Sequence, residues 1–213
     1  MKVKNWMTQN PITVKPSTLV MEAAKLMKEN KIRRLPVVDR GRVVGIVTHR
    51  NILEASPSAA TSLSVHELNY ILANLKVEEV MRRNPICVHP DDLVMDVVRM
   101  GEEKGIGAFP VVDERGVLVG IATETEMYRA FVQLFGTRET DTLIELENVR
   151  LRENIGAMSQ MAKLAEELNV PVVGIFSLPH RRRPGNRVYM RVQTKEPGPV
   201  VAALKEAGFQ VAE

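Results

Sequence analysis

The chain repeats itself. Asn10-Pro11-Ile12 returns as Asn84-Pro85-Ile86, and Leu19-Val20-Met21 as Leu93-Val94-Met95. Pro36-Val37-Val38-Asp39 returns as Pro110-Val111-Val112-Asp113, and all three pairs are offset by 74 residues. One extra residue then moves the offset to 75, at which Val44-Gly45-Ile46 meets Val119-Gly120-Ile121 and Thr48 meets Thr123. Between residues 5–39 and 79–113, 15 of 35 positions are identical. Such a repeat means one supersecondary unit used twice. A unit of about 50 residues does not bury a sufficient core alone, so the copies are expected to pack together.

Each copy has a readable local pattern. Ile12-Thr13-Val14 is a short β-rich piece between prolines. Ser17 or Thr18 is expected to cap a helix, since a side-chain oxygen accepts free N–H groups of the first turn. Leu19, Val20, Ala23, Leu26 and Met27 follow at helical spacing. Leu35 to Val38 reads as a buried strand, Asp39-Arg40-Gly41 as a turn, and Val43 to Val47 as the return strand. Thr48 then opens another helix.

Composition narrows the class. The chain has 213 residues, 45% of them hydrophobic and 26% charged, ordinary values for a globular protein. No run of about 18 apolar residues is present, so no membrane span is expected. Met1-Lys2-Val3-Lys4-Asn5-Trp6 lacks the apolar core of a secretory leader, and a cytoplasmic protein is expected. The single cysteine, Cys87, excludes an internal disulfide and a multi-cysteine metal cluster. It lies among apolar residues and reads as inert core. A net charge of +3 does not by itself argue for nucleic acid, and 4% aromatics supply few stacking platforms. His49, His66, His89 and His180 have no ligand spacing, so no metal is expected.

The Pro-Val-Val-Asp turns, the Val-Gly-Ile strands and the threonines that follow them resemble the CBS domain, and two in tandem resemble a Bateman module. The resemblance covers about residues 1–135 and implies an α/β fold of two CBS domains packed as a pair. Between the copies, Ala55 to Ser64 is small and polar and reads as a loop. Val65 to Leu72 reads as helical. This insert resembles that of AcuB-type (acetoin-utilisation) CBS proteins.

No third copy follows. Residues 142–148 read as a strand, Ile155, Met158, Met161, Ala162, Ala165 and Leu168 as a helical face, and Val170 to Phe176 as a strand ended by Leu178-Pro179. Arg187 to Gln193 alternates with Val188, Met190 and Val192 on one face; Pro199 to Ala207 is a short helix and Phe209 to Val211 a last strand. This is a ferredoxin-like β-α-β-β-α-β order. It resembles an ACT domain, whose effector site would fall on Asn154, Ile155 and Gly156. The expected division is CBS domain 1 over 1–56, a linker with a helical insert over 57–76, CBS domain 2 over 77–135 and an ACT-like domain over 141–213.

In CBS modules that bind adenine nucleotides, a Thr or Ser at the strand end is followed after two residues by Asp, which accepts both ribose hydroxyls. Here the two places read Thr48-His49-Arg50-Asn51 and Thr123-Glu124-Thr125-Glu126. Asn51 keeps one acceptor oxygen without charge, and Glu126 keeps the charge on a longer arm. The competing reading is a capping box, in which both side chains satisfy free N–H groups at a helix start. Arg33 and Arg34 lie where the family places phosphate-contacting cations, and guanidinium forks match phosphate bidentately. Their counterparts Gly107 and Ala108 carry no charge, and the alternative is that the arginines are solvated surface or pair at an interface.

The resemblance thus implies one competent site from Arg33, Arg34, Thr48, Arg50 and Asn51, with backbone of Ile106, Gly107 and Ala108 and the strand around Cys87. A weaker second site would use Thr13, Ile32, Thr123, Thr125 and Glu126. No cofactor is required; an adenine nucleotide (AMP, ADP, ATP or a related adenosyl compound) would be a regulatory ligand. The expected function is a non-enzymatic sensor, a homodimer with no membrane association, linked by resemblance to acetoin or acetyl metabolism. No nucleophile–base set is present to suggest an enzyme. Two rival readings stand beside it: a nucleic-acid-binding regulator using Arg181-Arg182-Arg183, and a scaffold with a vestigial pocket.

Overall fold

The computed structural model describes residues 1–55, 73–135, 139–180 and 185–212. The chain divides into two compact units, Met1–Gln133 and Leu134–Glu213. The helix expected over 65–72, most of the insert, and the Arg181-Arg182-Arg183 segment lie outside the described residues.

In the first unit, a 3₁₀ turn (Val3–Asn5) precedes β1 (Thr8–Gln9), α1 (Val20–Glu29), β2 (Arg34–Asp39), β3 (Arg42–Thr48) and α2 (His49–Ala55). The second copy gives α3 (Val77–Val80), β4 (Arg82–Arg83), α4 (Val94–Lys104), β5 (Ala108–Val112), β6 (Leu118–Thr123) and α5 (Glu124–Phe135). The repeat in sequence is therefore a repeat in structure.

The copies exchange their leading segments. The first sheet is ordered β2-β3-β4 and the second β1-β6-β5. Arg82 and Arg83 pair with Ile46 and Gly45, while Thr8 and Gln9 pair with Ile121 and Gly120. The cores follow the same exchange. Val77 and Met81 are buried with Val20, Ala23, Met27, Leu35 and Val37 of the first copy. Val3 is buried with Val88, Val94, Val97 and Phe109 of the second. Each buried Val or Met side chain is worth about 1.5–3 kcal/mol, so neither copy has its full core without the other's opening residues.

The same segments cap helices. The expectation that Ser17 or Thr18 caps α1 is corrected: α1 starts after Leu19 with no side-chain cap. Its first free donor, Val20 N, is met by the Leu75 carbonyl at 2.8 Å, and Val94 N of α4 by Met1 O at 3.0 Å. The Thr18 hydroxyl instead accepts from Lys15 N at 3.0 Å and closes a turn. Nor is Ile12-Thr13-Val14 a strand. Only Val14 bridges β2, through Val37, because Pro11 and Pro16 on either side offer no N–H to a ladder.

Two repeated residues are explained by backbone geometry. Asn10 and Asn84 have φ of 46° and 47°, a left-handed conformation that Asn tolerates better than other side chains. Gly45 and Gly120 let the incoming strands pass close: a Cβ at Gly120 would lie 2.5 Å from Met7 Sδ and 3.1 Å from Thr8 O. At Gly45 the same positions are taken by Met81 Sδ and Arg82 O.

The second unit contains β7 (Thr142–Val149), α6 (Ala157–Glu167), β8 (Val172–Pro179), β9 (Asn186–Val192), α7 (Gly198–Glu206) and β10 (Gln210–Val211). The sheet order is β10-β7-β9-β8, with antiparallel neighbours throughout. This is a split β-α-β arrangement. Val188, Met190 and Val192, one face of β9, pack on Met161, Ala165, Val200 and Leu204 of the helices. Two expectations change. Ile155 precedes α6 and is 93% exposed rather than on its buried face, and β8 continues through Pro179. Proline is tolerated there because it sits at the strand's end.

Candidate functional site

The strands β3 and β6 end at Thr48 and Thr123, and each hands over directly to a helix. Both ends open into one cleft of about 1550 Å³ within the first unit, larger than the roughly 300–1,000 Å³ of a usual small-molecule pocket. Beneath it Ile46, Ala108 and Ile121 form a small apolar cluster joining the two copies. Lining residues occur as repeat-related pairs: Ile12 with Ile86, Ile32 with Ile106, Thr48 with Thr123, Asn51 with Glu126.

Charge breaks this symmetry. Lys31, Arg33, Arg34 and Arg50 of the first copy correspond to Gly105, Gly107, Ala108 and Thr125 of the second. Arg82 and Arg129 add to the cationic side chains, against the carboxylates Glu54, Glu124 and Glu126. The cleft therefore has an excess of positive charge concentrated in one repeat's residues.

The expected polar groups are partly committed to the protein itself. Asn51 Oδ1 accepts from Thr48 N at 3.1 Å and from the Thr48 hydroxyl at 2.8 Å, and Asn51 N donates back to that hydroxyl at 3.1 Å. Asn51 thus completes a capping box at the start of α2. Glu126 does the same at α5: Oε2 accepts from Thr123 N at 2.9 Å and from the Thr123 hydroxyl. Its other oxygen accepts from the Thr8 hydroxyl at 3.1 Å and faces Arg129 at 3.7 Å. Glu126 is only 6% exposed and both its oxygens accept hydrogen bonds from the protein, while the residue still lines the cleft.

The arginines differ. Arg34 Nη2 forms an ion pair with Glu124 Oε2 of the other copy at 3.0 Å. Arg50 Nε is held by Glu54 Oε1 at 2.7 Å one helical turn on, and this carboxylate pushes the guanidinium pKa further up. Arg33 is exposed and gives its backbone carbonyl to His49 N at 2.9 Å.

Two expected residues miss the cleft by one position. Thr13 and its counterpart Cys87 do not line it, whereas Ile12 and Ile86 do, since successive side chains of an extended segment face opposite ways. Cys87 is half-buried, and its Sγ donates weakly to Pro85 O at 3.5 Å. Burial pushes its thiol pKa up. Ile32, Ile106, Gly107, Ala108 and Thr125 line the cleft as expected. Glu124, Arg82 and Tyr128 also line the cleft and were not among the expected site residues; for Glu124 the signal was its place beside Thr123, at the repeat position of His49.

In the second unit, a smaller cavity of about 610 Å³ is lined by Asn148, Arg150, Asn154, Gln160, Phe209 and Gln210 among others. Of the expected effector residues only Asn154 belongs to it; Ile155 and Gly156 do not. A Cβ at Gly156 would meet nothing nearer than Asn154 Oδ1 at 3.9 Å, so nothing here demands glycine. Among the described residues, no group of three or more His, Cys, Asp or Glu is placed to hold a metal. No helix among them is long and apolar enough to cross a membrane.

Residues 3–58 and 77–133 match the family model of the CBS domain. The chain is 33% identical to the CBS domain pair of protein MJ0100 solved in complex with 5′-methylthioadenosine and S-adenosyl-L-methionine, covering 62% of this chain and 97% of that one at a TM-score of 0.52. It is 32% identical to CBSX2, a protein of Arabidopsis thaliana, solved in complex with AMP (62% and 96% covered, TM-score 0.51). It is 28% identical to a Vibrio cholerae protein assigned to acetoin utilization, AcuB (63% and 92% covered, TM-score 0.53). The chain spans about half the length of curated relatives it matches: two Methanocaldococcus jannaschii proteins, 32% and 31% identical, are covered to 49% and 46%.

Proposed function

The chain belongs to the CBS-domain family, and on that premise we propose that its first unit is a regulatory sensor of an adenosyl ligand such as AMP, ADP, ATP or S-adenosylmethionine, bound in the cleft between the repeats. The observation that carries this is the charge asymmetry. Lys31, Arg33, Arg34 and Arg50 line the cleft together with the uncharged Gly105, Ile106 and Ala108, so the first repeat supplies cations for an anionic group and the second offers small, apolar surface to a flat ring. The adenosyl ligands of the MJ0100 and CBSX2 pairs support it. With Asn51 and Glu126 occupied by capping, the ribose relies on other donors and acceptors, including the Asn51 amide nitrogen.

A ligand regulates only by binding two arrangements unequally. We take the role to be binding rather than catalysis, and the assembly to be a homodimer. Titration calorimetry with AMP, ADP, ATP and S-adenosylmethionine tests the reading. Saturable binding of at least one is expected; none bound by folded protein overturns it.

The second unit we read as an ACT-type module that binds a further effector or joins two copies. Its β10-β7-β9-β8 order supports this. The AcuB likeness supports a place in acetoin metabolism. Sedimentation of the full chain with and without AMP tests the assembly; a monomer in both overturns the dimer.

A further inference from the structure

Arg34 and Glu124 come from different repeats and meet in the cleft. Arg34 starts β2, and Glu124 is the first residue of α5. Their ion pair is 3.0 Å long, with Arg34 26% and Glu124 56% exposed. A Cβ at Gly107 would lie 2.5 Å from Arg34 Nη2 and 2.7 Å from the Glu124 carboxyl carbon. The pair therefore rests on the Gly107 backbone, whose carbonyl accepts from Glu124 N at 3.2 Å. The repeat-related positions hold Ala108 and His49, which cannot form an ion pair, so only one end has this arrangement.

A guanidinium engaged by a carboxylate is not idle toward phosphate. Phosphate takes a guanidinium bidentately, as a carboxylate does, and carries more charge, while a solvent-exposed ion pair adds little stability. A phosphate can displace Glu124, but breaking the pair subtracts from binding. The released carboxylate then remains beside the bound anion. Neither effect touches a ligand without phosphate.

We propose that Glu124 is a specificity-determining residue: through its contact with Arg34 it grades adenosyl ligands by charge, holding down affinity for those that carry phosphate. This rests on the reading of the cleft as an adenosyl site.

The test compares calorimetric affinities for AMP and adenosine in the wild-type full chain, Glu124→Gln, Arg34→Gln and the double variant. Glu124→Gln is expected to bind AMP about two- to fivefold tighter, the fold-change equivalent of an exposed ion pair. Adenosine affinity should stay within about twofold on the same scale. In the Arg34→Gln background the AMP gain should fall by at least about half, since contacting residues are non-additive. The AMP-to-adenosine ratio is the readout because it does not depend on the folded fraction. Should Glu124→Gln fail to fold, Glu124→Ser repeats the test. An unmoved ratio in protein that still binds both compounds overturns this proposal alone, as does an undiminished gain without Arg34. Binding of neither compound to the wild type overturns the adenosyl reading as well.

Discussion

The Thr8 hydroxyl donates to Glu126 Oε1 at 3.1 Å, joining residues 118 positions apart. Thr8 belongs to β1, the opening strand of the first repeat, and Glu126 to the first turn of α5, in the second. The contact ties the exchanged strand to the helix that borders the cleft. It also completes the satisfaction of a carboxylate that is 6% exposed, and a buried charge is tolerable only when its lone pairs are met.

Glu126→Gln should cost about 1–3 kcal/mol of unfolding free energy, the penalty of leaving buried polar partners unsatisfied. An amide in that position turns one acceptor into a donor facing other donors. Asn51→Ala, which removes the equivalent cap where Asn51 is more exposed, should cost about 1 kcal/mol. Urea unfolding monitored at Trp6 gives both values. A smaller loss at Glu126 than at Asn51 would contradict the assigned roles.

Gly120→Ala should destabilise by about 1–3 kcal/mol, the usual range for overpacking. The added carbon meets Met7 Sδ and the Thr8 carbonyl at 2.5 and 3.1 Å. Methionine can move, but the strand backbone cannot without losing its pairing with β6. Met7→Ala on top should restore part of the loss. The denaturation midpoint is the measurement, and a neutral Gly120→Ala would mean that β1 sits less tightly than described.

Asp91 reports the docking of the N-terminal segment. Lys2 Nζ and Lys4 Nζ lie 2.8 and 2.9 Å from its Oδ1. Their hydrogen bonds, and then their charges, lower its pKa to about 2. A depressed carboxylate pKa means the folded state favours the ionised form. Any stabilisation is fully present above the unfolded value of about 3.9 and is lost as pH falls toward about 2. Carboxyl ¹³C titration should place Asp91 near 2 in the wild type and close to the unperturbed value in Lys2→Ala/Lys4→Ala. Equal midpoints in both proteins would rule out this contact in solution.

Cys87 should be a poor nucleophile. Burial raises its thiol pKa, so little thiolate exists at neutral pH. Iodoacetamide should react more slowly with the native chain than with the urea-unfolded chain at pH 7. Faster alkylation of native protein would show an activating environment that the structure lacks.

Arg33→Ala should weaken AMP by about tenfold, the worth of one charge-assisted contact, and leave adenosine unaffected. Calorimetry decides, and equal loss for the two ligands would assign Arg33 to packing.

The duplication, and with it most of the first unit, is legible in the order of residues alone. Leu35 to Val38 and Val43 to Val47 read as strands because apolar runs between turn residues have few alternatives. Thr48 and Thr123 read as helix starts because their neighbours three residues on are capping partners. The asymmetry of Arg33 and Arg34 against Gly107 and Ala108 was likewise visible as soon as the copies were aligned. Local chemistry and an offset suffice for all of these.

Which copy completes which core follows from long-range packing instead. Nothing local in Val3 or Met7 says that they serve the second sheet, or in Val77 and Met81 that they serve the first. Their apolar character suits either core, and the path of the chain chooses between them. The same holds for Arg34: its charge is legible, but its partner Glu124 lies 90 residues away. An ion pair forms where folding brings opposite charges within a few ångströms, and spacing along the chain does not specify that separation.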